Sequence, residues 1–280
     1  MVSKIDELVD VIDTFQIDFS SIPNISFNMS MLSVDEETHV AFRNSNVIPY
    51  TNAAGKNSSI YVGKLIDKKL TDLKPINFHG YSVPLWDRYN GMEDPRLFLW
   101  RGQRWCLFVR PNHSITKIFM VMINLDTEEH HFLDDPDGRP FTKNWMPYVV
   151  DSRLYFVVDT SPFSLYEFED GKLKLVKKDD GLGFPVFGGS PVVELNERLV
   201  AVVHGKKEDD EGKRTYWHSI ATWDKDFNDM RIGKKFIFEK EGIEFCLSMN
   251  IDNDITFAYS VHDNGVSVMT IDKESFGNLL

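Results

Sequence analysis

Cysteine is scarce: two in 280 residues, Cys106 and Cys246, each inside an apolar run. That excludes a disulfide-stapled secreted scaffold and reads as two reduced core thiols of a reducing compartment. No apolar run approaches the roughly 20 residues that a membrane helix needs. Asp and Glu interrupt the first residues, Met1–Phe19, so the apolar core of a signal peptide is missing as well. A soluble, cytoplasmic protein without a membrane span is expected. Positive charge is in deficit, with 31 Lys plus Arg against 43 Asp plus Glu and a net charge of −12. This argues against a general nucleic-acid binder, and no nucleic-acid partner is expected, because such a protein needs a basic face to displace counterions. Helical periodicity is nearly absent. Only Ser3–Phe15 shows it, with Ile5, Leu8, Val9, Ile12 and Phe15 at helical spacing, and a short N-terminal helix is expected there.

What remains is short runs of Val, Ile, Phe and Tyr bounded by Gly, Asn, Asp and Pro, with aromatics at 13%. These are the marks of strands. Five stretches share one pattern: a polar opening, a strand, a tight turn, a second strand, and a third strand closing on an acid. The openings are Asn24-Ile25-Ser26, Glu93-Asp94-Pro95-Arg96, Lys143-Asn144-Trp145, Gly188-Gly189-Ser190-Pro191 and Glu244-Phe245-Cys246. Their spacing suits one four-stranded propeller blade each. Weaker fourth strands follow at His130–Leu133, Leu173–Lys177 and Lys235–Glu239. The fifth unit lacks one, so Gln16–Phe19 is expected to supply it and close the ring, since closure removes exposed edges. The fold class is all-β, a single five-bladed β-propeller spanning residues 1–280. A β-sandwich of repeated hairpins is the alternative.

In a propeller the starts of first strands, the ends of second strands and the starts of third strands share one face. That rule gathers Asn24, Glu93, Asp94, Arg96, Lys143, Asn144, Ser190 and Glu244 with Arg43, Asn46, Arg110, Asp159, His204, His262 and Asp263. Tyr216 and His218 join them from a third strand. The loop 77–90, with Trp86 and Tyr89, enters at the same mouth, and the charged stretch Gly205–Arg214 hangs over it as a lid. Each residue has a bland reading: Asp94 and Arg96 as a structural pair, His204 and His262 as core histidines, the Gly188-Gly189 pair as a close backbone approach. The functional reading rests on five polar openings converging. No metal is required, and Asp135/Asp137 on a Pro-Gly turn is the one place where a metal-bound nucleotide is conceivable. A nucleophile elbow is absent, and neither cysteine has a histidine at motif spacing.

The ordered series of Asn-x-Ser, Arg-x-x-Asn, Glu-Asp-Pro-Arg, Lys-Asn-Trp, Gly-Gly-x-Pro, a strand ending in His and a Tyr-bearing strand resembles five-bladed carbohydrate-active propellers. These are glycoside hydrolase family 130 mannoside phosphorylases and hydrolases, the related β-1,2-mannosyltransferases, and propeller domains accompanying glycosyltransferases in bacteria and large DNA viruses. The resemblance runs from Asn24 to Asp272. It implies that Asp94 transfers a proton, that Arg96 holds it or a sugar hydroxyl, and that His204 and Tyr216 face phosphate and sugar. Two phosphate-gripping cations of the phosphorylases are replaced here, by Asp159-Thr160-Ser161-Pro162 and Phe184-Pro185-Val186.

The expected function is a glycosyltransferase taking a sugar from a nucleotide-sugar donor to a glycan acceptor. Asp94 is the expected base, Arg43, Arg110, Lys143 and His204 the counter-charges to the departing diphosphate, and Trp86, Tyr89 or Trp145 the stacking platform. The alternatives are a β-mannoside-type phosphorylase or hydrolase, with Asp94 as acid and Glu244 or Asp263 as its partner, and a non-catalytic glycan-binding propeller.

Overall fold

The computed structural model describes residues 2–46, 56–76, 89–111 and 116–280. Its strands form five sheets, each a meander ordered from an inner to an outer strand. The first sheet runs Ile25–Val34, Glu37–Ser45, Lys56–Ile66 and Lys69–Pro75, with Tyr89–Gly91 added parallel to its third strand. The second runs Glu93–Trp100, Gln103–Pro111, Ile118–Asn124 and His130–Leu133. The third runs Met146–Val150, Arg153–Thr160, Phe163–Glu169 and Lys172–Asp179. In the fourth the inner strand is broken into Phe187–Gly188 and Val193–Leu195, both paired with Arg198–Glu208. That strand pairs with Arg214–Trp223, whose outer partners are Arg231–Ile232 and Phe236–Ile237. The fifth runs Glu244–Ile251, Ile255–Val261 and Asn264–Ile271, and its fourth strand comes from the N-terminus.

The N-terminal segment corrects the sequence reading. The expected helix is a single 3-10 turn, Ile5–Glu7, and the strand Val11–Gln16 follows it. This strand, displaced toward the N-terminus from the expected Gln16–Phe19, pairs antiparallel with Asn264–Ile271. Its burial alternates, and Ile12 is left 56% exposed where a helical stripe would bury it. The open edge of the last sheet offers a full ladder of backbone partners, and Val11, Ile12, Thr14 and Phe15 suit a strand, so pairing overrides the helical period. Ser3–Lys4 adds to the neighbouring sheet, parallel to Phe236–Ile237.

The inner strands lie side by side around the axis: Ile25–Val34 packs against Glu93–Trp100 and Glu244–Ile251, and Glu93–Trp100 against Met146–Val150. Serines stitch the neighbouring sheets together near the axis. Asn28 N–H donates to Ser260 Oγ at 2.7 Å, Met31 N–H to Ser248 Oγ at 3.0 Å, and Leu97 N–H to Ser30 Oγ at 2.9 Å. A small hydroxyl satisfies a backbone donor that the crowded axis hides from water. The Gly188-Gly189 pair serves the same crowding. A Cβ on Gly188 would lie 2.1 Å from the Asn144 carbonyl oxygen, and one on Gly189 2.8 Å from that of Cys246.

Between adjacent sheets lie aromatic-rich cores, one of them built on Trp100, Trp105, Trp145, Phe156 and Phe168. Cys106 and Cys246 are free and buried, and burial pushes both thiols up, Cys246 to about 12. They are inert core residues at neutral pH. No helix among the described residues is long and apolar enough to cross a membrane.

Candidate active site

At one mouth of the ring lies a cavity of about 650 Å³. Two features of the inner strands aim its key side chains. The strand pairing slips between Phe27 and Met29 and again between Glu93 and Arg96. At these bulges Asn28 and Asp94 take positive φ angles, 52° and 53°. Asx residues tolerate the left-handed region better than others, and a bulge there turns a side chain out of the pleat. Asn144 (φ 68°), ahead of its strand, and Asp263 (φ 51°), in a hairpin turn, also take positive φ, and all four line the cavity.

Asp94 is the centre of the charge arrangement and is only 3% exposed. Its Oδ1 accepts a hydrogen bond from Asn28 Nδ2 at 2.9 Å and lies 4.0 Å from Arg43 Nη1. Its Oδ2 faces Lys143 Nζ at 3.3 Å. Glu93 shares the same cations, 2.8 Å from Arg43 Nη2 and 3.8 Å from Lys143 Nζ. Burial alone would push the Asp94 carboxyl up, but Lys143, Arg43, Arg96 and the Asn28 bond outweigh it and hold it at about 2. Lys143 is correspondingly raised by Asp94. Asp263, in the same cavity, is pushed up to about 6 by burial and by the Asp94 charge. Two carboxyls in one pocket thus carry opposite protonation tendencies, the pattern that separates an acid from a base.

The other walls are built by the third and fourth sheets. Arg139 spans Asp135 Oδ2 at 2.8 Å and Asp159 Oδ2 at 2.6 Å. His204 stacks on Tyr216 with centroids 5.5 Å apart and meets Phe245 edge-on at 4.8 Å. Its Nδ1 has no hydrogen-bond partner among the described residues, and burial keeps its pKa well below the usual imidazole range. His204 is therefore a neutral donor or acceptor at the wall. Lys206 lies over the Phe187 ring at 5.3 Å, and Arg214 pairs with Glu208 at 2.9 Å.

Of the residues gathered from sequence, Arg43, Glu93, Asp94, Lys143, Asn144, Asp159, His204, Tyr216 and Asp263 meet in this cavity. Others do not. Glu244 is fully buried, and its carboxylate accepts the backbone N–H groups of Phe238, Glu239 and Lys240 at 2.7, 2.8 and 2.9 Å. It staples the preceding loop, so a role as catalytic partner is corrected to a structural one. Arg96 stands behind the wall, its Nε donating to the Gly189 carbonyl at 2.8 Å and its Nη1 to the Asp94 backbone carbonyl at 3.1 Å. It supports Asp94 electrostatically without reaching the cavity. Trp145 is a core residue, 0% exposed, and offers no stacking surface. Ser190 Oγ accepts from Val202 N–H at 2.9 Å as an inter-strand tie. His218 is 0% exposed and set against Phe236 and Phe238, with burial lowering it to about 3. Asn24 donates to Asn44 Oδ1 at 3.3 Å outside the cavity. Arg110 is buried elsewhere, and His262 and Asn46 are exposed without lining the cavity. Trp86 and the side chain of Tyr89 lie outside the described residues.

Asn28, Arg139, Phe141, Thr142 and Arg214 line the cavity without having been singled out. Asn28 carried no signal in the sequence, because Phe27-Asn28-Met29 alternates regularly and only the strand register reveals the bulge. The stretch Gly205–Arg214 is less a lid than a hairpin, because its strands run to Glu208 and restart at Arg214. The Asp135 carboxylate receives Arg139 and the Thr142 hydroxyl.

The Asp263 carboxyl carries a stability prediction. Its folded pKa lies above the ordinary 3.8, so its contribution is intact below about pH 4 and is lost as pH rises through 6. Asp263→Asn should raise the melting temperature at pH 7.5, by up to about 3 kcal/mol of stability, and converge with wild type near pH 4. Equal shifts at both pH values in thermal melts would exclude a raised carboxyl.

The sequence matches no protein-family model and no curated protein. Solved structures do match. A β-1,2-mannobiose phosphorylase of Listeria innocua in complex with β-1,2-mannobiose superposes with a TM-score of 0.66 at 13% identity, covering 97% of this chain and 96% of that one. This chain shares that fold. A mannose phosphorylase of Leishmania mexicana in complex with phosphate ion gives a TM-score of 0.64 at 10% identity over 98% of this chain and 92% of that one. A GDP-Man-dependent mannosyltransferase of the same organism gives 0.60 at 12% identity, over 94% and 90%. One propeller architecture thus carries a phosphorylase and a nucleotide-sugar-dependent transferase among its neighbours, so the fold by itself does not fix an activity.

Proposed function

We propose that this propeller is a glycosyltransferase, moving a sugar from a nucleotide-sugar donor to a hydroxyl of a glycan acceptor within the mouth cavity. The supporting observation is the state of Asp94: a buried carboxylate held ionised at about 2 by Lys143 and Arg43. Transfer from a nucleotide sugar needs a base for the acceptor O–H and cations for the departing diphosphate, whereas the leaving group itself needs no proton. Asp94 removes the acceptor proton as the acceptor oxygen bonds to the anomeric carbon. The bond from that carbon to the diphosphate oxygen breaks, and the electron pair leaves with the diphosphate. Lys143 and Arg43, with Lys206 and Arg214 on the fourth sheet's hairpin, offset the charge that develops there. When an anionic diphosphate divides the charge of Lys143 and Arg43, less of it falls on Asp94, and its pKa climbs toward a useful base.

The second reading is a glycoside phosphorylase or hydrolase, favoured by Asp263. A glycosidic leaving oxygen needs a proton, and Asp263, at about 6, retains one nearer neutrality than Asp94 does. That assignment inverts the roles expected from sequence.

Thermal melts with GDP, UDP, GDP-mannose, inorganic phosphate and β-1,2-mannobiose separate the readings. A nucleoside diphosphate at a hundredfold its Kd should add about 2.7 kcal/mol of stability, with nucleoside diphosphate released when donor and acceptor are combined. Stabilisation by phosphate or mannobiose alone, with sugar turnover and no nucleotide, transfers the assignment to the second reading. Binding of oligosaccharide without turnover under either regime leaves a glycan-binding propeller.

A further inference from the structure

The strongest unassigned feature is Phe141. Its ring is 59% exposed and lines the cavity. Single exposed apolar residues are common and mean little. Phe141 differs by its setting: among the described residues, no other large hydrophobic exposed to this degree lines the cavity. The segment that carries it is also built rigid. Asp135, 6% exposed, accepts the backbone N–H groups of Asp137 and Arg139 at 3.0 Å each and the Arg139 Nε at 3.1 Å. Its second oxygen accepts Arg139 Nη2 and the Thr142 hydroxyl, both at 2.8 Å. The Gly138 N–H donates to the Asp135 carbonyl at 2.9 Å, and Ile118 N–H ties the Pro140 carbonyl to the second sheet at 2.8 Å. Phe141 sits between two residues, Pro140 and Thr142, that are each anchored.

We propose that Phe141 is a stacking platform for a pyranose ring of the acceptor glycan, with Arg139 and Asp159 placed to meet that ring's hydroxyls. A pyranose presents a face of axial C–H bonds that an aromatic π-face accepts, while its equatorial hydroxyls demand polar partners at the rim. The cavity lining supplies both: the ring of Phe141, and the pair that Arg139 of the same segment makes with Asp159 of the third sheet at 2.6 Å. Because the segment is already held by the Asp135 carboxylate, little ordering entropy opposes the contact. The platform is the role expected from the sequence for Trp86, Tyr89 or Trp145, of which Trp145 is buried. The proposal rests on the proposed function only in taking the ligand to be a carbohydrate.

The test is calorimetric titration of the full chain with manno-, gluco- and xylo-oligosaccharides of two to six units, without donor. At least one series should bind wild type. Phe141→Ala should weaken that binding about tenfold or more, and Phe141→Tyr should stay within about threefold. GDP or UDP affinity should be the same in all three proteins, which also reports that each is folded. Unchanged oligosaccharide affinity in Phe141→Ala overturns the platform, as does the absence of oligosaccharide binding by wild type. Phe141-dependent binding without any nucleotide binding or transfer would sink the transferase reading and leave the platform standing.

Discussion

Asp94→Asn should lower turnover by about 10³-fold while the ring stays folded and donor binding changes little. A positioned base contributes on the order of 10²–10⁴, and the amide that replaces it cannot take the acceptor proton. The fold persists because the surroundings keep partners. Asn28 Nδ2 retains an oxygen acceptor, and Arg43 and Lys143 retain Glu93 at 2.8 and 3.8 Å. Stability should still fall at neutral pH. Asp94 has a folded pKa of about 2 against an ordinary 3.8, so its stabilisation is complete above about pH 4 and disappears as pH falls through 2. The variant gives up about 2 kcal/mol at pH 7 and its melts should be flatter across the acid range. It should also lower the Asp263 pKa, because the Asp94 charge is one of the forces holding that carboxyl up. Full turnover in Asp94→Asn, measured as nucleoside diphosphate released per enzyme, would remove Asp94 from the chemistry.

Glu244→Ala should do the reverse, costing about 3–5 kcal/mol and roughly 10 °C of melting temperature while the folded protein remains active. Glu244 is fully buried, and three backbone N–H groups converge on its carboxylate. Removal leaves the buried Phe238 N–H and the part-buried N–H groups of Glu239 and Lys240 without their acceptor, and the buried one is the expensive loss. Burial raises the Glu244 pKa in spite of these donors. Its stabilising share is therefore structural, through the loop it closes, and owes little to ionisation. Glu244→Gln keeps one acceptor oxygen and should fall between wild type and Ala. A Glu244→Ala protein with normal melting and no turnover would restore the catalytic role that the geometry denies.

The contrast between these two carboxylates shows how far sequence reading reached. Both open the inner strand of a repeat, and both are buried. Asp94 sits on a bulge at φ 53°, beside Pro95, and that backbone twist turns it into the cavity. Glu244 extends back along its own chain to the loop it follows. Strand pattern cannot separate the two, because bulge position depends on the register of the neighbouring strand. Trp145 failed for a related reason: an amphipathic residue at a strand opening packs inward when the adjacent sheet offers an aromatic core. Arg139, Phe141 and Thr142 were passed over because they stand in a connection, where no repeat marks them. Their arrangement comes from Asp135, a residue that in sequence suggested a metal.

The number of sheets and their order were determined by the sequence itself. They follow from alternation, turn residues and repeat length, which act over a few residues and survive without knowledge of the rest. Tertiary structure alone decided which openings reach the cavity, which carboxylate stays ionised, and whether the N-terminus would be helix or strand. Those outcomes depend on groups brought together from different sheets: Lys143 and Arg43 around Asp94, and the open edge of Asn264–Ile271 waiting for Val11–Gln16. Charge and backbone pairing act across space, and a linear pattern holds no distances.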